Sequence, residues 1–137
     1  MDLENAKAQM RKGVLEMCVL AVVAERETYP PEIIERLEGA SLPMKEGTLY
    51  PLLVRLKSDG LVDYVWREGI KGPPRKYFTI TAEGRAFLGE LAASWRELVS
   101  AVDRTLALPA SRQGQPPGEP PPLLHIEPQR PPDDERS

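Results

Sequence analysis

The chain has 137 residues and a net charge of −3 at pH 7, so we expect one domain, and the overall charge does not by itself indicate a nucleic-acid binder. A single cysteine, Cys18, excludes an internal disulfide and a cysteine-cluster metal site. The only histidine, His125, lies in a proline-rich segment, and the sequence has no P-loop motif, so we expect neither an enzyme nor a bound cofactor.

The N-terminal residues and the hydropathy of the chain bear on its location. The opening stretch, MDLENAKAQMRKG, is polar and has no signal-peptide pattern. No run of about 18 apolar residues is present to span a membrane. We therefore expect a cytoplasmic protein without a membrane partner.

Positive charge is concentrated in one part of the chain. Residues 43–77 carry seven Lys or Arg against four Asp or Glu, a net charge of +3, whereas residues 1–42 have a net charge of −3. The local field, rather than the net charge, decides where a polyanion docks. Residues 43–77 are therefore the expected place for a nucleic acid, although a charge of +3 is also common on a solvated surface.

The C-terminal segment differs in composition from the rest. Residues 109–137 contain nine of the 15 prolines, and their apolar cluster is limited to Leu123, Leu124 and Ile126. So little apolar surface cannot offset the entropy of ordering, and the sequence predicts a disordered tail. The alternative is a short docking motif in that tail, around PPLLHIEP.

The first predicted helix covers residues 11–26 and is apolar nearly all round between Met17 and Ala24. Such a helix needs neighbours on more than one side, and in a small domain the second neighbour can belong to another subunit. Cys18 lies in this apolar run, which favours an inert buried thiol over a redox sensor.

The second predicted helix lies in TYPPEIIERLEGA. Pro30 and Pro31 suit its first turn, where amide donors have no helical partner, and Gly39 suits its end. Tyr29 is expected to pack at its start. The inner stripe is predicted to consist of Ile33, Ile34 and Leu37.

The third predicted helix, in EGTLYPLLVRLKSDG, has an apolar stripe and an unusual outer face. Its stripe follows the i, i+3, i+4, i+7 spacing of an amphipathic helix and ends before Gly60. The stripe consists of Leu49, Leu52, Leu53 and Leu56, and the opposite face of Gly47, Pro51, Val54 and Ser58. A solvated face normally carries long charged side chains, so this small and nearly uncharged face favours close approach by a partner.

Pro51 interrupts the helical pattern, because a proline inside a helix removes one hydrogen bond and costs roughly 3 kcal/mol or more. Our hypothesis is that Pro51 lies in the early turns, where a missing donor is cheapest, and forms with Tyr50 a stiff projection that enters a groove. The alternative is that Pro51 only begins the regular helix, after a turn at residues 46–49.

A hairpin and a long helix follow. LVDYVWR alternates with period two, EGIKGPP is a turn signal, and RKYFTI is a second strand. Thr81 is placed to cap a helix over residues 82–108. The 3-4-3-4 spacing of its apolar residues suits pairing with another helix, and the predicted dimerisation residues are Leu88, Leu91, Trp95, Leu98 and Val102.

This order of elements predicts a mainly α fold with a small β-hairpin. Three helices and a hairpin form a winged helix-turn-helix, in which the third helix enters the major groove and the hairpin touches the flanking backbone. The expected organisation is a DNA-binding domain in residues 1–81, a dimerisation helix in residues 82–108 and the tail in residues 109–137.

The stretches EGTLYPLLVRLKSDGLV, GPPRKYF and TAEGR resemble the PadR family of bacterial transcriptional regulators, as do RKGVLEMCVLAVVAE and TYPPEIIERL. The resemblance covers roughly residues 9–106 and departs from the family at Pro30 and Pro31, where a tyrosine–glycine–tyrosine-like stretch is more usual. It implies a compact homodimeric repressor whose C-terminal helix and first helix form the dimer interface. It also implies that two recognition helices read a palindromic operator, and that a small-molecule effector often releases the DNA.

The resemblance places the recognition-helix signature at residues 46–51 and the wing at residues 72–77. Together with the charge pattern it predicts these DNA-contacting residues: Lys45, Gly47, Thr48, Tyr50, Pro51, Arg55, Gly72, Arg75 and Lys76. Lys57 and Lys71 are further candidates for phosphate contacts. The alternative for Arg75 and Lys76 is a solvated hairpin edge, and for Tyr50 it is packing against the wing.

Trp95 has two interpretations. Paired across a two-fold axis, it forms a slot for a flat hydrophobic or aromatic effector, or it simply fills the dimer interface, as aromatic residues at helical spacing usually do. For the protein as a whole, the alternative to a DNA-binding regulator is a winged-helix module that contacts other proteins and has no DNA specificity of its own.

Overall fold

The computed structural model describes residues 2–107, which form five helices and one two-stranded antiparallel sheet. Their order is α1 (Leu3–Lys12), α2 (Leu15–Glu25), α3 (Pro30–Gly39), α4 (Glu46–Ser58), β1 (Val62–Arg67), β2 (Arg75–Ile80) and α5 (Ala82–Thr105). The predicted mainly α fold with a small hairpin and a long C-terminal helix is confirmed. The proline-rich segment, with its predicted tail and docking motif, lies outside the described residues.

The chain divides into two compact units between Ala93 and Ser94, so α5 contributes to both. The first unit contains α1 to α4, the hairpin and the start of α5. In the second unit α5 continues to Thr105, whose hydroxyl donates to the carbonyl of Ala101 at 2.9 Å. The helix thus ends three residues before the predicted end at residue 108. No helix within residues 2–107 is long and apolar enough to cross a membrane.

The prediction of one helix over residues 11–26 is wrong at its N-terminal end, because α1 is a separate helix that ends at Lys12. The Asp2 carboxylate caps α1 by accepting from the amide of Glu4 at 3.3 Å. Strong helix formers such as Ala, Lys, Gln and Met supply most of α1, but none of its residues is buried. Leu3 and Met10 lie on one face of α1 but are 65 and 73% exposed, so packing contributes little to this helix.

The core of the first unit is formed around α2. Val19, Leu20 and Val23 are at most 1% exposed, and α2 packs against both α3 and β2. The expected neighbours on more than one side are therefore present, and two of them belong to the same subunit. Cys18 is half-buried beside this core, and burial raises the pKa of its thiol above the usual value, which favours the inert protonated form.

The helix α3 begins as its sequence predicts. Pro30 and Pro31 occupy its first two positions, and the Glu32 carboxylate accepts from the amide of Tyr29 at 3.2 Å and the hydroxyl of Thr28 at 3.0 Å. Ile33 is fully buried on the inner stripe, which Leu37 continues at 2% exposure. The carboxylate thus provides acceptors where two donors would otherwise lack partners.

The hairpin pairs β1 with β2 from Val62↔Ile80 to Arg67↔Arg75, and residues 68–74 connect the strands. Thr28 extends the sheet by one bridge, since its amide and carbonyl both bond to the backbone of Phe78, at 3.1 and 2.7 Å. This bridge ties the start of α3 to the hairpin. We call the hairpin with residues 68–74 the wing.

The helix α5 begins against the base of the wing. The Thr81 hydroxyl accepts from the amide of Gly84 at 2.9 Å and donates to the carbonyl of Gly60 at 2.7 Å, which confirms the predicted cap. A Cβ on Gly84 would collide with the carbonyl oxygen of Leu61. This close approach requires a glycine at position 84 and fixes where α5 leaves the hairpin.

Candidate nucleic-acid interface

The helix α4 presents two faces of different character. Its inner face is the predicted leucine stripe, and all four leucines are buried, with Leu49 and Leu56 fully inaccessible. The outer face is exposed and centred on Gly47, Pro51 and Val54, the last of which is 69% exposed. The buried leucines therefore anchor α4 to the core, while its nearly uncharged face is exposed to solvent.

Gly47 has no role in packing within the domain. A Cβ built at Gly47 would meet no atom within 4 Å, so the position has space for a larger side chain. Glycine in a helix lowers stability by roughly 0.5–1 kcal/mol relative to alanine. Its presence on the outer face therefore leaves backbone accessible from outside.

Pro51 lies inside α4 at its sixth residue, which rules out the alternative that it merely begins the helix. The helical pattern already starts before it, because the amide of Leu49 donates to the carbonyl of Lys45 at 3.0 Å. With no N–H, Pro51 cannot donate to the carbonyl of Gly47, the helical partner four residues earlier. Pro51 thus lies one turn further in than the positions where a missing donor has no cost, and a carbonyl on the outer face loses its usual partner.

The wing carries a set of aromatic rings on the face that contains Tyr64 and Trp66. Tyr64 packs against Phe78 with ring centroids 5.6 Å apart, and it meets Trp66 edge-on at 6.4 Å. Trp66 remains 63% exposed. The alternation predicted for β1 is therefore present. On this face Tyr64 is packed against β2, whereas Trp66 is exposed.

Lys76 lies over these rings, and Arg75, on the other face of β2, lies over Tyr29. The Lys76 ammonium is 4.3 Å from the centroid of Tyr64 and 5.3 Å from that of Trp66. The Arg75 guanidinium lies 4.7 Å from the centroid of Tyr29, at the start of α3. No carboxylate of residues 2–107 pairs with Arg75 or Lys76. Both charges are therefore oriented by aromatic faces and free to pair with an external anion.

A cleft of about 590 Å³ separates α4 from the wing. We call it the helix–wing cleft. It combines aromatic, proline and cationic side chains, and its principal lining residues are Tyr29, Pro30, Pro31, Tyr50, Val54, Lys57, Tyr64, Trp66, Arg75 and Lys76. Tyr50 reaches the cleft from α4 but remains 45% exposed. The arrangement can accept a polyanion at its rim and flat or apolar groups within.

Comparison with known proteins agrees with this geometry. A sequence profile of the transcriptional regulator PadR-like family matches residues 19–90, which is more than half of the chain. The chain belongs to this family. PadR-like proteins are DNA-binding regulators rather than enzymes, so this chain is a DNA-binding transcriptional regulator.

Individual PadR-like proteins resemble the chain over most of its length. A transcription factor from Bacteroides fragilis is 50% identical and covers 74% of this chain and 98% of its own, with a TM-score of 0.63. A regulator from Eggerthella lenta is 35% identical over 76% of this chain and 91% of its own, with a TM-score of 0.72. A transcriptional regulator of Mycobacterium tuberculosis is 29% identical over 94 residues, which are 69% of this chain and 87% of the relative.

Among the predicted DNA-contacting residues of this PadR-like domain, one is paired with a carboxylate of residues 2–107 and the others are not. Lys45 is the exposed N-cap residue of α4, Thr48 lies in the exposed first turn, and Gly72 lies in the wing connection with φ +97°. Arg55 is different, because its guanidinium is 3.5 Å from the Glu16 carboxylate of α2. An external phosphate would have to compete with Glu16 for Arg55, whereas Arg75 and Lys76 have no such competitor.

Two further basic residues have partners within the PadR-like domain. Arg67 forms a bidentate pair with Glu27, with N–O distances of 2.7 and 2.6 Å. Hydrogen bonding from Arg67 lowers the pKa of Glu27, and the same bond raises the pKa of Arg67. Lys57 is 3.8 Å from Asp63. These pairs show that residues 43–77 offer fewer unpaired cations than the sequence charge indicates.

The predicted dimerisation residues are exposed to different extents. Leu88 and Leu91 are half-buried against the core of the first unit. In the second unit, Trp95, Leu98 and Val102 are 41, 55 and 44% exposed. The apolar area that these last three residues expose in one subunit is available to a partner, and their role in dimerisation remains a prediction.

Sequence reasoning did not identify Tyr29, Tyr64 and Trp66 as parts of one surface. Tyr29 was expected only to pack at the start of α3, yet it also contacts Tyr77, with ring centroids 5.3 Å apart. The alternation of β1 placed Tyr64 and Trp66 on one face, which was the available signal. The bridge between Thr28 and Phe78 brings Tyr29 to the edge of β2, where it joins the other two in the lining of the cleft, and a single bridge between segments 50 residues apart leaves no local pattern.

Proposed function

We propose that this PadR-like regulator is a homodimeric repressor that binds a palindromic operator. In this proposal the outer face of α4 enters the major groove and the wing contacts the flanking phosphates. Arg75 and Lys76 carry the proposal most directly, because ring faces hold both cations outward and no carboxylate of residues 2–107 neutralises them. Lys45 and Thr48 supply further backbone contacts from the start of α4, where the helix dipole favours a phosphate.

Sequence readout is assigned to the outer face of α4. Gly47 and Pro51 have no long side chains, so the helix backbone can approach DNA closely enough for contacts to base edges. Tyr50 is placed to reach a sugar or a thymine methyl group. Phosphate contacts fix the register of the protein on the duplex, and base contacts discriminate between sequences.

Selection of binding sites from random duplex DNA by the purified protein tests the proposal. We expect enrichment of a palindrome whose half-site centres lie about one helical turn apart, on the order of 10 base pairs. Enrichment of a single asymmetric site would contradict a symmetric dimer, and no enrichment would favour the protein-contact module over a sequence-specific regulator.

The contribution of the wing can be separated from that of α4 by salt dependence. Replacing Arg75 or Lys76 by alanine should weaken binding to all sequences alike and reduce the slope of log K against log salt by about 0.9 per lost phosphate contact. Arg36→Ala is the matched control, because Arg36 is an exposed arginine on α3 that pairs with Glu25 at 2.8 Å. An unchanged salt slope in R75A and K76A would contradict the wing contact.

We assign the dimer interface to the predicted dimerisation residues of α5, and the effector site to Trp95 within that interface. Paired Trp95 side chains would form the walls of a slot for a flat aromatic molecule. Light scattering of the purified protein at micromolar concentration should give the mass of a dimer, and W95A should shift the equilibrium toward the monomer. Quenching of Trp95 fluorescence in a W66F background by planar hydrophobic compounds tests the slot, and no response across a broad panel would reject it.

A further inference from the structure

We propose that residues 116–128 of this chain, PPGEPPPLLHIEP, dock in the helix–wing cleft and compete there with DNA. The docking depends only on the cleft and on the chemistry of the segment. The competition also rests on the proposed function, in which the wing contacts phosphates. A segment of the protein itself would thereby lower its affinity for DNA.

The lining of the helix–wing cleft suits a proline-rich segment. Such segments form extended polyproline helices, which dock in grooves lined by aromatic side chains. Tyr64 and Trp66 meet edge-on at an interplanar angle of 86°, and the indole is 63% exposed. The exposed indole offers a surface against which a proline ring can pack, and the cleft volume of about 590 Å³ leaves room for several residues.

Proline content and charge together select residues 116–128 from the C-terminal segment. These 13 residues contain six of its nine prolines, together with Glu119 and Glu127, and they include no Lys or Arg. Their net charge is −2 with His125 neutral. The cleft offers Lys57, Arg75 and Lys76, and the last two have no carboxylate partner within residues 2–107. The segment therefore supplies the carboxylates that the described part of the chain does not.

The length of the connecting chain permits this docking. The 24 residues of α5 make a helix about 36 Å long, which begins two residues after β2 ends. Residues 106–119 can span up to about 50 Å when extended. They can therefore return along the whole of α5 to the hairpin from which it starts. A tethered segment acts at an effective concentration of about 1 mM, so even weak intrinsic binding would occupy the cleft.

The two tryptophans of the chain allow a direct test. In a W95F background Trp66 is the sole tryptophan, and acrylamide quenching reports its exposure in the full-length chain. We expect replacement of Pro120, Pro121 and Pro122 by serine to raise the quenching constant of Trp66 roughly twofold, because the segment no longer covers the indole. Replacement of Pro131 and Pro132 by serine is the matched control, since these prolines lie outside the docking segment and should leave the quenching unchanged.

A second measurement tests competition, with a mixed-sequence duplex of about 24 base pairs as the probe at low salt. The triple serine variant should bind this duplex about three- to tenfold more tightly than the parent, since the competent fraction rises, and the control variant should not. Equal quenching in the parent and the triple variant would overturn the docking. A difference in quenching with equal DNA affinity would overturn the competition.

The outcomes also separate this proposal from the proposed function. If no variant binds DNA while Trp66 is protected by the segment, the docking stands and the DNA role of the wing fails. If Trp66 is protected only after addition of a planar small molecule, the cleft is a small-molecule site and the docking is wrong. Thermal unfolding of each variant, followed by circular dichroism, shows whether the described domain is intact.

Discussion

The helices α3 and α4 are neighbours that pack on each other with similar inner faces, yet their outer faces follow opposite rules. On α3 the prolines occupy the first two positions, a carboxylate accepts from the amide of Tyr29, and Arg36 pairs with Glu25. On α4 the proline is internal and the outer face carries an open glycine. The inner faces therefore build the domain, and we interpret features that weaken a helix without improving its packing as signs of a functional surface.

The largest expected loss of stability comes from replacing a buried leucine, and it should be similar in α3 and α4. Leu37 on α3 and Leu53 on α4 are 2 and 1% exposed. Leu37→Ala and Leu53→Ala should each reduce the free energy of unfolding by about 2–5 kcal/mol, because each leaves a cavity in one continuous core. Urea denaturation measures both. A loss below about 1 kcal/mol in L53A alone would contradict the view that α4 is as firmly held as α3.

The two helices should differ when their prolines are replaced. Pro51→Ala restores an N–H that can donate to the carbonyl of Gly47, so the free energy of unfolding should rise by about 1–3 kcal/mol. DNA affinity should fall about tenfold or more if the proline shapes the reading surface, as proposed. Urea denaturation and titration of a fluorescent operator duplex measure the two effects separately.

Pro31→Ala is the matched control, because Pro31 is the second residue of α3, where an amide has no helical acceptor. We expect stability within about 0.5 kcal/mol of the parent, since no hydrogen bond is gained. DNA affinity should not fall, because Pro31 is not among the predicted contacts. Increased stability of P51A with unchanged DNA affinity would show that the internal proline has no part in recognition.

The comparison also shows how far the sequence determined the outcome. The leucine spacing of α4, the prolines of α3 and the cap at Thr81 are local signals, and the structure confirms each of them. The helix α1 was missed because it has few large apolar residues and buries none of its side chains. Its stabilisation depends on propensity and on the cap at Asp2, which hydrophobic patterning does not detect.

Residues of the candidate site could be proposed from the sequence, but their contacts with other side chains could not. The resemblance to the PadR family and the charge pattern indicated Arg75 and Lys76, yet the rings beneath them come from strand register and from the bridge at Thr28. In the same way, Arg55 counted as a free cation until α2 placed Glu16 beside it. Electrostatic availability depends on contacts between distant segments, and such contacts leave no local pattern.

The ends of the two helices provide a smaller test. Ser41 after α3 has φ +64°, and Gly60 after α4 has φ +78°. The left-handed conformation costs an ordinary residue roughly 1–2 kcal/mol more than glycine. We expect Ser41→Gly to stabilise the domain by about 1 kcal/mol and Gly60→Ser to destabilise it by a similar amount. Equal stabilities of S41G and the parent would mean that the serine hydroxyl compensates for the backbone conformation.

The smallest expected change in stability comes from the exposed glycines. Gly39 at the end of α3 and Gly47 on the outer face of α4 both have open space where a Cβ would stand. Gly39→Ala and Gly47→Ala should each raise the free energy of unfolding by about 0.5–1 kcal/mol, since alanine loses less entropy in a helix. Operator affinity should fall in G47A and stay unchanged in G39A, because one added methyl group would block approach to the backbone only on α4, the helix that we propose faces DNA. Equal affinity of both variants would mean that DNA does not contact α4 at this turn, and would move sequence readout toward Tyr50 and the wing.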